Sequence, residues 1–487
     1  MIPNIPEPIL NLLCEIGEVE GKNAYLVGGF VRDLLLKRPS PDIDIVVEGD
    51  AIRVAQAMCD RWSGTLEAHA QFGTATVTPQ NTDLPKVDFV TARRETYQGS
   101  GTLPIVQSGS ITDDLRRRDF SINALAMRLD PTAFGTIVDE TGGLADLESG
   151  TVRVLHNRSF IDDPTRIFRA YRYAGRYGFQ IAENDETLIR EALPVLAQLT
   201  GERIRNEIDR VLLEKNAPEI VDRLTKVGVW ETICTGWQIS SNFASDFRAA
   251  QRATAWASEH LADEEFEPQL VLWMALFGTE MPIYQIEALS FRLTLKHQLQ
   301  RLVSPAQAEN QQVSLEKVTH AAFEKLGYPL SQNAVIEHHN GKWCIVDADV
   351  STSSGITYVC GERSLFRVET PLTAYKQLKE TLALLKHSVK PSEIYQLFKP
   401  SPTEALVLAS EGTTVAEWQR EKIKNYFLVL RKVQPFITGQ DLIALGEKPG
   451  PTFKTQLWQL FAAQLDGKIA TKSEASCRLA EFKTYTA

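Results

Sequence analysis

Cysteine is scarce in this chain: six in 487 residues, scattered at Cys14, Cys59, Cys234, Cys344, Cys360 and Cys477, with no Cys-x-x-Cys pair and no neighbouring histidine cluster. Neither a structural zinc nor a disulfide framework is signalled. No apolar run approaches the ~20 residues of a membrane span. The segment Met1 to Pro8 lacks the charged start and apolar centre of a signal peptide, so a cytoplasmic protein with no membrane partner is expected. Basic charge is also in deficit: 52 Lys and Arg against 62 Asp and Glu give a net charge of −10. That excludes coating a polyanion by bulk charge and leaves room only for a local basic groove. Internal repeats and low-complexity tails are absent. What is present, 43% hydrophobic and 23% charged residues, suits a soluble globular protein too long for one ordinary core, so two or more domains are expected.

The most informative stretch is Tyr25-Leu26-Val27-Gly28-Gly29-Phe30-Val31-Arg32-Asp33, followed by Asp42-Ile43-Asp44 within Pro41 to Val47. It reads as a strand, a glycine turn, a short helix and a second strand. Alternation along that strand points Asp42 and Asp44 the same way while Ile43, Ile45 and Val47 enter the core. Two adjacent carboxylates repel unless a cation or shared proton lies between them, and such oxygen ligands suit magnesium, which takes substrate phosphates as further ligands. Gly28 and Gly29 let the backbone turn sharply and expose amides near the start of the helix carrying Arg32, a favourable anion position. The combination predicts a metal and triphosphate site for nucleotidyl transfer. Asp88, in Lys86-Val87-Asp88-Phe89-Val90, could add a third carboxylate as ligand or as support, or be an ordinary outward acid of a half-buried strand.

Strand-like segments run from Tyr25–Val27 through Asp42–Val47, Thr74–Thr78, Val87–Thr91 and Ile137–Asp139 to Val152–Leu155. Helical periodicity takes over from about Ser159, in Pro164–Tyr177, Asp185–Leu193 and Arg203–Leu213. An α+β fold follows, a mixed-sheet head with helices and then a helical remainder. Within that remainder, β-prone stretches between 334 and 370 read as a small strand-rich insertion. Breaks fall at Lys390-Pro391 and Pro449-Gly450-Pro451. A further block, Asp114 to Ala126, reads as the opening of a helix rich in acids and arginines that then turns apolar. Arginine forks suit triphosphate oxygens, and an acid such as Asp119 can accept from a ribose hydroxyl.

Taken together, five blocks stand in one order: Gly28 to Asp44; Asp114 to Ala126; Asp139 with Gly142-Gly143 and Asp146-Leu147; Asp162-Asp163-Pro164-Thr165-Arg166; and Gly201-Glu202-Arg203-Ile204. In this the chain resembles the class II tRNA nucleotidyltransferases and their poly(A) polymerase relatives, whose head is shared with DNA polymerase beta. The resemblance implies a polymerase-beta-like head (1–155), a helical neck (156–225), a body (226–390) and a tail (391–487). It implies addition of all or part of the 3′ CCA to tRNA from CTP and/or ATP, with two Mg²⁺ ions held by Asp42 and Asp44. The Gly28-Gly29 turn and Arg32 would then meet the triphosphate, and Arg117, Asp119 and Asn123 the ribose and phosphate. Asp163 and Arg166 would read the base, with Arg169 and Arg172 as further nucleotide contacts. The block from Asp139 to Leu147 would join head to neck. One departure is Asp162, where the family usually has Glu. The segment His69-Ala70-Gln71-Phe72-Gly73-Thr74 and the tail motifs from Ile437 to Gly467 resemble the tRNA enzymes more than the poly(A) polymerases. A poly(A) polymerase and a non-catalytic RNA-binding homologue remain the alternatives, and the motifs do not separate CCA, CC and A addition.

Overall fold

In the computed structural model the residues described are 5–20, 23–40, 42–96, 105–264, 266–278, 371–444 and 450–484, with 281, 289, 292–293, 295 and short strands between 313 and 365. The chain divides into two compact units, Met1–Gln238 and Ile239–Ala487.

The first unit is built on a seven-stranded sheet. Its strands are β1 (Ala24–Val27), β2 (Ile43–Val47), β3 (Thr65–His69), β4 (Thr74–Thr78), β5 (Val87–Thr91), β8 (Leu125–Arg128) and β9 (Ile137–Asp139), in the order β3-β4-β5-β2-β1-β8-β9. Only β2 and β5 run parallel; the other neighbours are antiparallel. A hairpin of β6 (Arg93–Thr96) and β7 (Ile105–Ser108) stands beside it. Ile43, Ile45 and Val47 are buried as alternation requires, and so is Val46 on the opposite face, which packs with Tyr25, Val27, Ile111, Leu115 and Ala126. Burial on both faces suits a central strand and leaves Asp44 as its one half-buried position.

The segment 114–126 differs from the expected helix. Helix α4 starts earlier, at Ile111, behind a Ser110–Asp113 capping box, and stops at Arg116. After it come a 3₁₀ turn, Ser121–Asn123, and strand β8, whose Met127 pairs with Leu26. An apolar run of this length fits either element, and the open edge of β1 decides it. The expected strand Val152–Leu155 is likewise reduced to β10 (Thr151–Val152), paired with β11 (Gln180–Ile181), plus one bridge from Val154 to Phe120.

Helices complete the unit: α1 (Glu7–Glu20), α2 (Gly29–Leu35), α3 (Ala51–Arg61), α5 (Gly143–Ser149), α6 (Ser159–Asp162), α7 (Arg166–Tyr177), α8 (Glu183–Leu196), α9 (Gly201–Leu212), α10 (Ala217–Val227) and α11 (Val229–Ile233). α7 crosses α10 closely because Gly175 has no side chain; a Cβ there would lie 2.4 Å from Ile220 Cγ1.

The second unit carries helices Phe243–His260, Pro268–Phe277, Pro371–Leu384, Pro391–Phe398, Thr403–Ala409, Glu417–Leu428, Gly439–Ala444, Pro451–Leu465 and Lys472–Thr484. The strand-rich insertion is present as an antiparallel sheet of Ala334–His339, Lys342–Asp347 and Thr357–Cys360, with Val313–Ser314 pairing Ser364–Leu365. Residues 366–370, the end of the expected β-prone region, lie outside the described residues, as does Pro449. Among the described residues no helix is long and apolar enough to cross a membrane.

Where β9 passes into α5, Asp139 gathers the turn. Its Oδ1 accepts from the amides of Thr141, Gly142 and Gly143, and its Oδ2 from Leu144, at 2.8 to 3.1 Å. Burial pushes this carboxyl up, but the four amides outweigh it and hold it below its ordinary value. A depressed folded-state value gives stability that is present above the unfolded value, ~3.9, and is lost as pH falls through the folded one. Asp139→Asn should therefore cost about 1–2 kcal/mol at pH 7, and the gap to wild type should close below pH 4. Urea melts across pH check this; a gap independent of pH would refute the assignment.

Candidate active site

Gly28 turns the chain from β1 into α2 at φ +67, a conformation that favours glycine, and a Cβ there would lie 2.7 Å from Arg118 Nη1. The turn therefore brings the Gly28-Gly29 backbone against an arginine. Helix α2 has only seven residues, so its terminus offers a weak field and the surrounding guanidinium groups carry most of the anion attraction.

Asp42 precedes β2 and Asp44 lies on it, both lining a cavity of 1020 Å³ together with Gly28, Gly29 and Arg32. Burial raises the Asp44 carboxyl; Arg118 opposes that, while Asp88 and Asp42 push it further up. Carboxylates crowded so that one of them resists ionisation are the donor set a hard divalent cation stabilises. Asp88 sits opposite Asp44 in the parallel register, but it accepts from Thr76 Oγ1 at 2.5 Å and does not line the cavity. No group of three or more His, Cys, Asp or Glu is placed to hold a metal among the described residues.

The cavity walls are arginines held by acids. Asp114, fully buried, receives Arg117 through Nε at 2.9 Å and Nη2 at 2.6 Å, and Arg118 through Nε at 3.2 Å and Nη2 at 2.8 Å. Arg32 forks onto Asp33 at 2.9 and 2.8 Å, donates to Asn123 Oδ1 at 2.5 Å, and lies 4.7 Å from the Tyr177 ring centre and 5.2 Å from that of Tyr173. Asn123 donates onward to Asp119 at 2.9 Å, and Asp119 accepts Arg169 through Nε at 2.7 Å and also Nη2. A continuous polar chain thus joins α2, the turn before β8 and α7.

At the neck, Asp163 and Arg166 both line the cavity but are not paired with each other. Asp163 Oδ1 accepts from Arg203 at 2.8 Å and from Thr165 Oγ1 at 2.7 Å, whereas Arg166 donates to Ser159 Oγ at 2.5 Å and to the Arg117 carbonyl at 3.1 Å. The one-turn salt bridge that their spacing allows is not made. Arg166, Arg169, Tyr173, Arg176 and Tyr177 follow the i, i+3, i+7 helical stripe that lines the cavity; Arg172 does not line it but lies 3.6 Å from Glu214, which does. The residues not singled out from sequence, Arg118, Asp33, Tyr173, Tyr177 and Glu207, also line the cavity. The α7 stripe, extended from Arg166, marks the two tyrosines; nothing local in the sequence marks Arg118 apart from its neighbours.

A mixed sheet presenting paired acids to an arginine-walled cavity closed by a helical neck defines a nucleotidyltransferase head. The sequence profile of the poly A polymerase head domain matches residues 24–153, and that of the probable RNA- and SrmB-binding site of polymerase A matches 178–236. An A-adding tRNA nucleotidyltransferase of Halalkalibacterium halodurans is 30% identical over 97% of this chain and 92% of its own length. One of Geobacter sulfurreducens is also 30% identical over 97% of this chain, which spans only 47% of that protein. A solved CCA-adding enzyme complex with ATP superimposes with a TM-score of 0.70 at 25% identity, covering 99% of this chain and 97% of the other. The chain belongs to the tRNA nucleotidyltransferase/poly(A) polymerase family.

Arg169→Ala should leave the Asp119 carboxylate buried without its ion partner and lower stability by about 3 kcal/mol. Arg169→Met with Asp119→Leu should recover most of that loss. Guanidinium unfolding of the three proteins tests it; a loss under ~1 kcal/mol for the single variant would show the pair to be a peripheral one.

Proposed function

We propose that this protein extends the 3′ end of tRNA without a nucleic-acid template, transferring a nucleotidyl group from ATP and/or CTP and releasing pyrophosphate, in the cytoplasm. The observation that carries the reading is the pair Asp42 and Asp44 opening onto one cavity with Arg32, Arg117, Arg118, Arg166 and Arg169. The 3′ hydroxyl attacks the α-phosphorus in line with the leaving pyrophosphate, and the protein's part is to position and to neutralise. Magnesium, two ions by expectation, would be held by Asp42 and Asp44 and would supply activation of the attacking oxygen and neutralisation of the leaving group. Arg32 and Arg117, with the Gly28-Gly29 turn, receive the triphosphate. Asp119 and Asn123 face the ribose, and Asp163 with Arg166 complements the base edge, because a carboxylate only accepts and a guanidinium only donates. In the four-part division, the head (1–155) performs the transfer, the neck (156–225) reads the base, and the body (226–390) and tail (391–487) hold the tRNA. A head of this size cannot alone tell a whole tRNA from any 3′ end.

Addition of the terminal A is the favoured partial activity, because the Halalkalibacterium halodurans relative that matches along nearly all of both chains is named A-adding. A tRNA ending in CC should gain one A from ATP, whereas a tRNA lacking all three nucleotides should gain nothing from CTP. Incorporation of CTP into the latter would assign CC or CCA addition instead, and extension of an unstructured RNA would point to a poly(A) polymerase.

Asp42→Asn and Asp44→Asn should each cut incorporation by ~10³-fold or more, since several kcal/mol of metal-dependent stabilisation is lost, while tRNA binding in a filter assay persists. Incorporation near the wild-type rate would remove both residues from the chemistry. Arg166→Ala should blur the choice among CTP, ATP, UTP and GTP by ~1–3 kcal/mol in kcat/KM ratios. Unchanged ratios would release Arg166 from base reading.

A further inference from the structure

Beside the large cavity lies a second pocket of 370 Å³, between the β6–β7 hairpin, α4 and the start of the neck. Its lining includes Arg94, Arg116, Arg117, Arg158 and Arg166 against three carboxylates, a local charge of +2 (5 − 3) in a chain of net charge −10. Every remaining lining position is a carboxylate except His156, so the pocket holds no Phe, Tyr or Trp on which a base could stack. The large cavity, by contrast, carries Tyr173 and Tyr177. At the floor is Arg166, buried and without an ion pair among the described residues; both its hydrogen bonds go to neutral acceptors. At the rim, Arg94 and Arg158 have side chains 59% and 67% exposed; Arg94 gives Nε and Nη2 to Asp113 and Arg158 gives Nη2 to Asp162, which leaves further guanidinium donors on both lining side chains. His156 reports the same positive field: burial, then Arg166, holds it below its ordinary value.

We propose that this pocket binds a backbone phosphate of the RNA strand whose 3′ end occupies the large cavity. The chemistry it recognises is a phosphate oxyanion, for which arginine forks provide paired donors. Two sources could present that group, an RNA phosphodiester or free pyrophosphate. The RNA is favoured because the two cavities share Glu95, Arg117 and Arg166, so a strand entering one passes over the other. The inference rests on the tRNA-extending function proposed above, and it assigns to Arg94 and Arg158 a role in holding RNA and none in binding the incoming nucleotide.

The test uses the full chain and its Arg94→Gln/Arg158→Gln variant, with tRNA lacking its terminal nucleotide as the probe. Loss of one phosphate contact should lower the slope of log affinity against log salt by ~0.7 to 0.9 and weaken binding at low salt by about tenfold, with ATP binding unchanged. An unaltered slope and affinity would overturn the proposal. Pyrophosphate is titrated separately: if the variant loses pyrophosphate binding while tRNA binding stays intact, the pocket belongs to the free anion and the RNA assignment falls. If the double variant does not fold, Arg158→Gln alone is measured, since that exposed side chain can be shortened without disturbing the core. Wild-type protein that extends no tRNA would refute the proposed function itself, a result distinct from either outcome for the pocket.

Discussion

A carboxylate removed from solvent, Asp119, is the group on which the arrangement of the first unit depends. It stands in the turn leading into β8 and accepts from Asn123 on one oxygen and from Arg169 of α7 on the other. A buried charge without a partner costs several kcal/mol, so the sheet and the neck helix are locked at the spacing this pair requires. Everything lining the cavity inherits that spacing. Arg32 is aimed by Asn123 and seated against Tyr173 and Tyr177, and α7 presents Arg166 from the same side. The guanidinium groups are preorganised before any ligand arrives, which is the condition under which fixed charges contribute most to a transfer step.

The acids below this wall have a different part. Asp114 is buried under Arg117 and Arg118 and held below its ordinary value; burial alone would raise it, but the two guanidinium groups reverse the direction. Asp44 receives less compensation and moves the other way. One carboxylate is satisfied by the protein and fixes arginines; the other keeps a net excess of acid around it, which is the difference expected between a structural acid and the metal ligand proposed for Asp44.

Much of this was legible in the chain. Alternation through Asp42 to Ile45 gave away one core face and put Asp42 and Asp44 together, and both line one cavity; Val46 breaks the alternation by being buried on the other face. The 3.6-residue rhythm of Arg166 to Tyr177 marked α7. The run Leu125–Met127 was not legible, because only the vacant edge of β1 makes it a strand. Nor did spacing alone show that Asp163 would take Arg203 while Arg166 turned to Ser159: the partner lies 40 residues away, and tertiary proximity overrides the local pair. Arg172, which the resemblance counts among the nucleotide contacts, meets Glu214 together with Arg176, a shared partner that spacing along α7 does not show. Local pattern reaches side-chain direction; choice among several partners is a property of the assembled fold.

The helix Pro268–Phe277 has a consequence for how the polypeptide is made. It is apolar and buried over most of its length, with Leu270 to Phe277 all withdrawn from water, and it packs on Phe243–His260 and on Thr403–Ala409, where Glu404 accepts from the Glu267 amide at 3.1 Å. A ten-residue segment of this kind cannot rest in water as a stable intermediate. During synthesis Phe243–His260 can cover one side of it at once, but its other side must wait for Thr403–Ala409, more than 120 positions downstream. Through that interval the newborn chain exposes the apolar side that Thr403–Ala409 later covers, a surface of the kind that makes incomplete chains prone to associate.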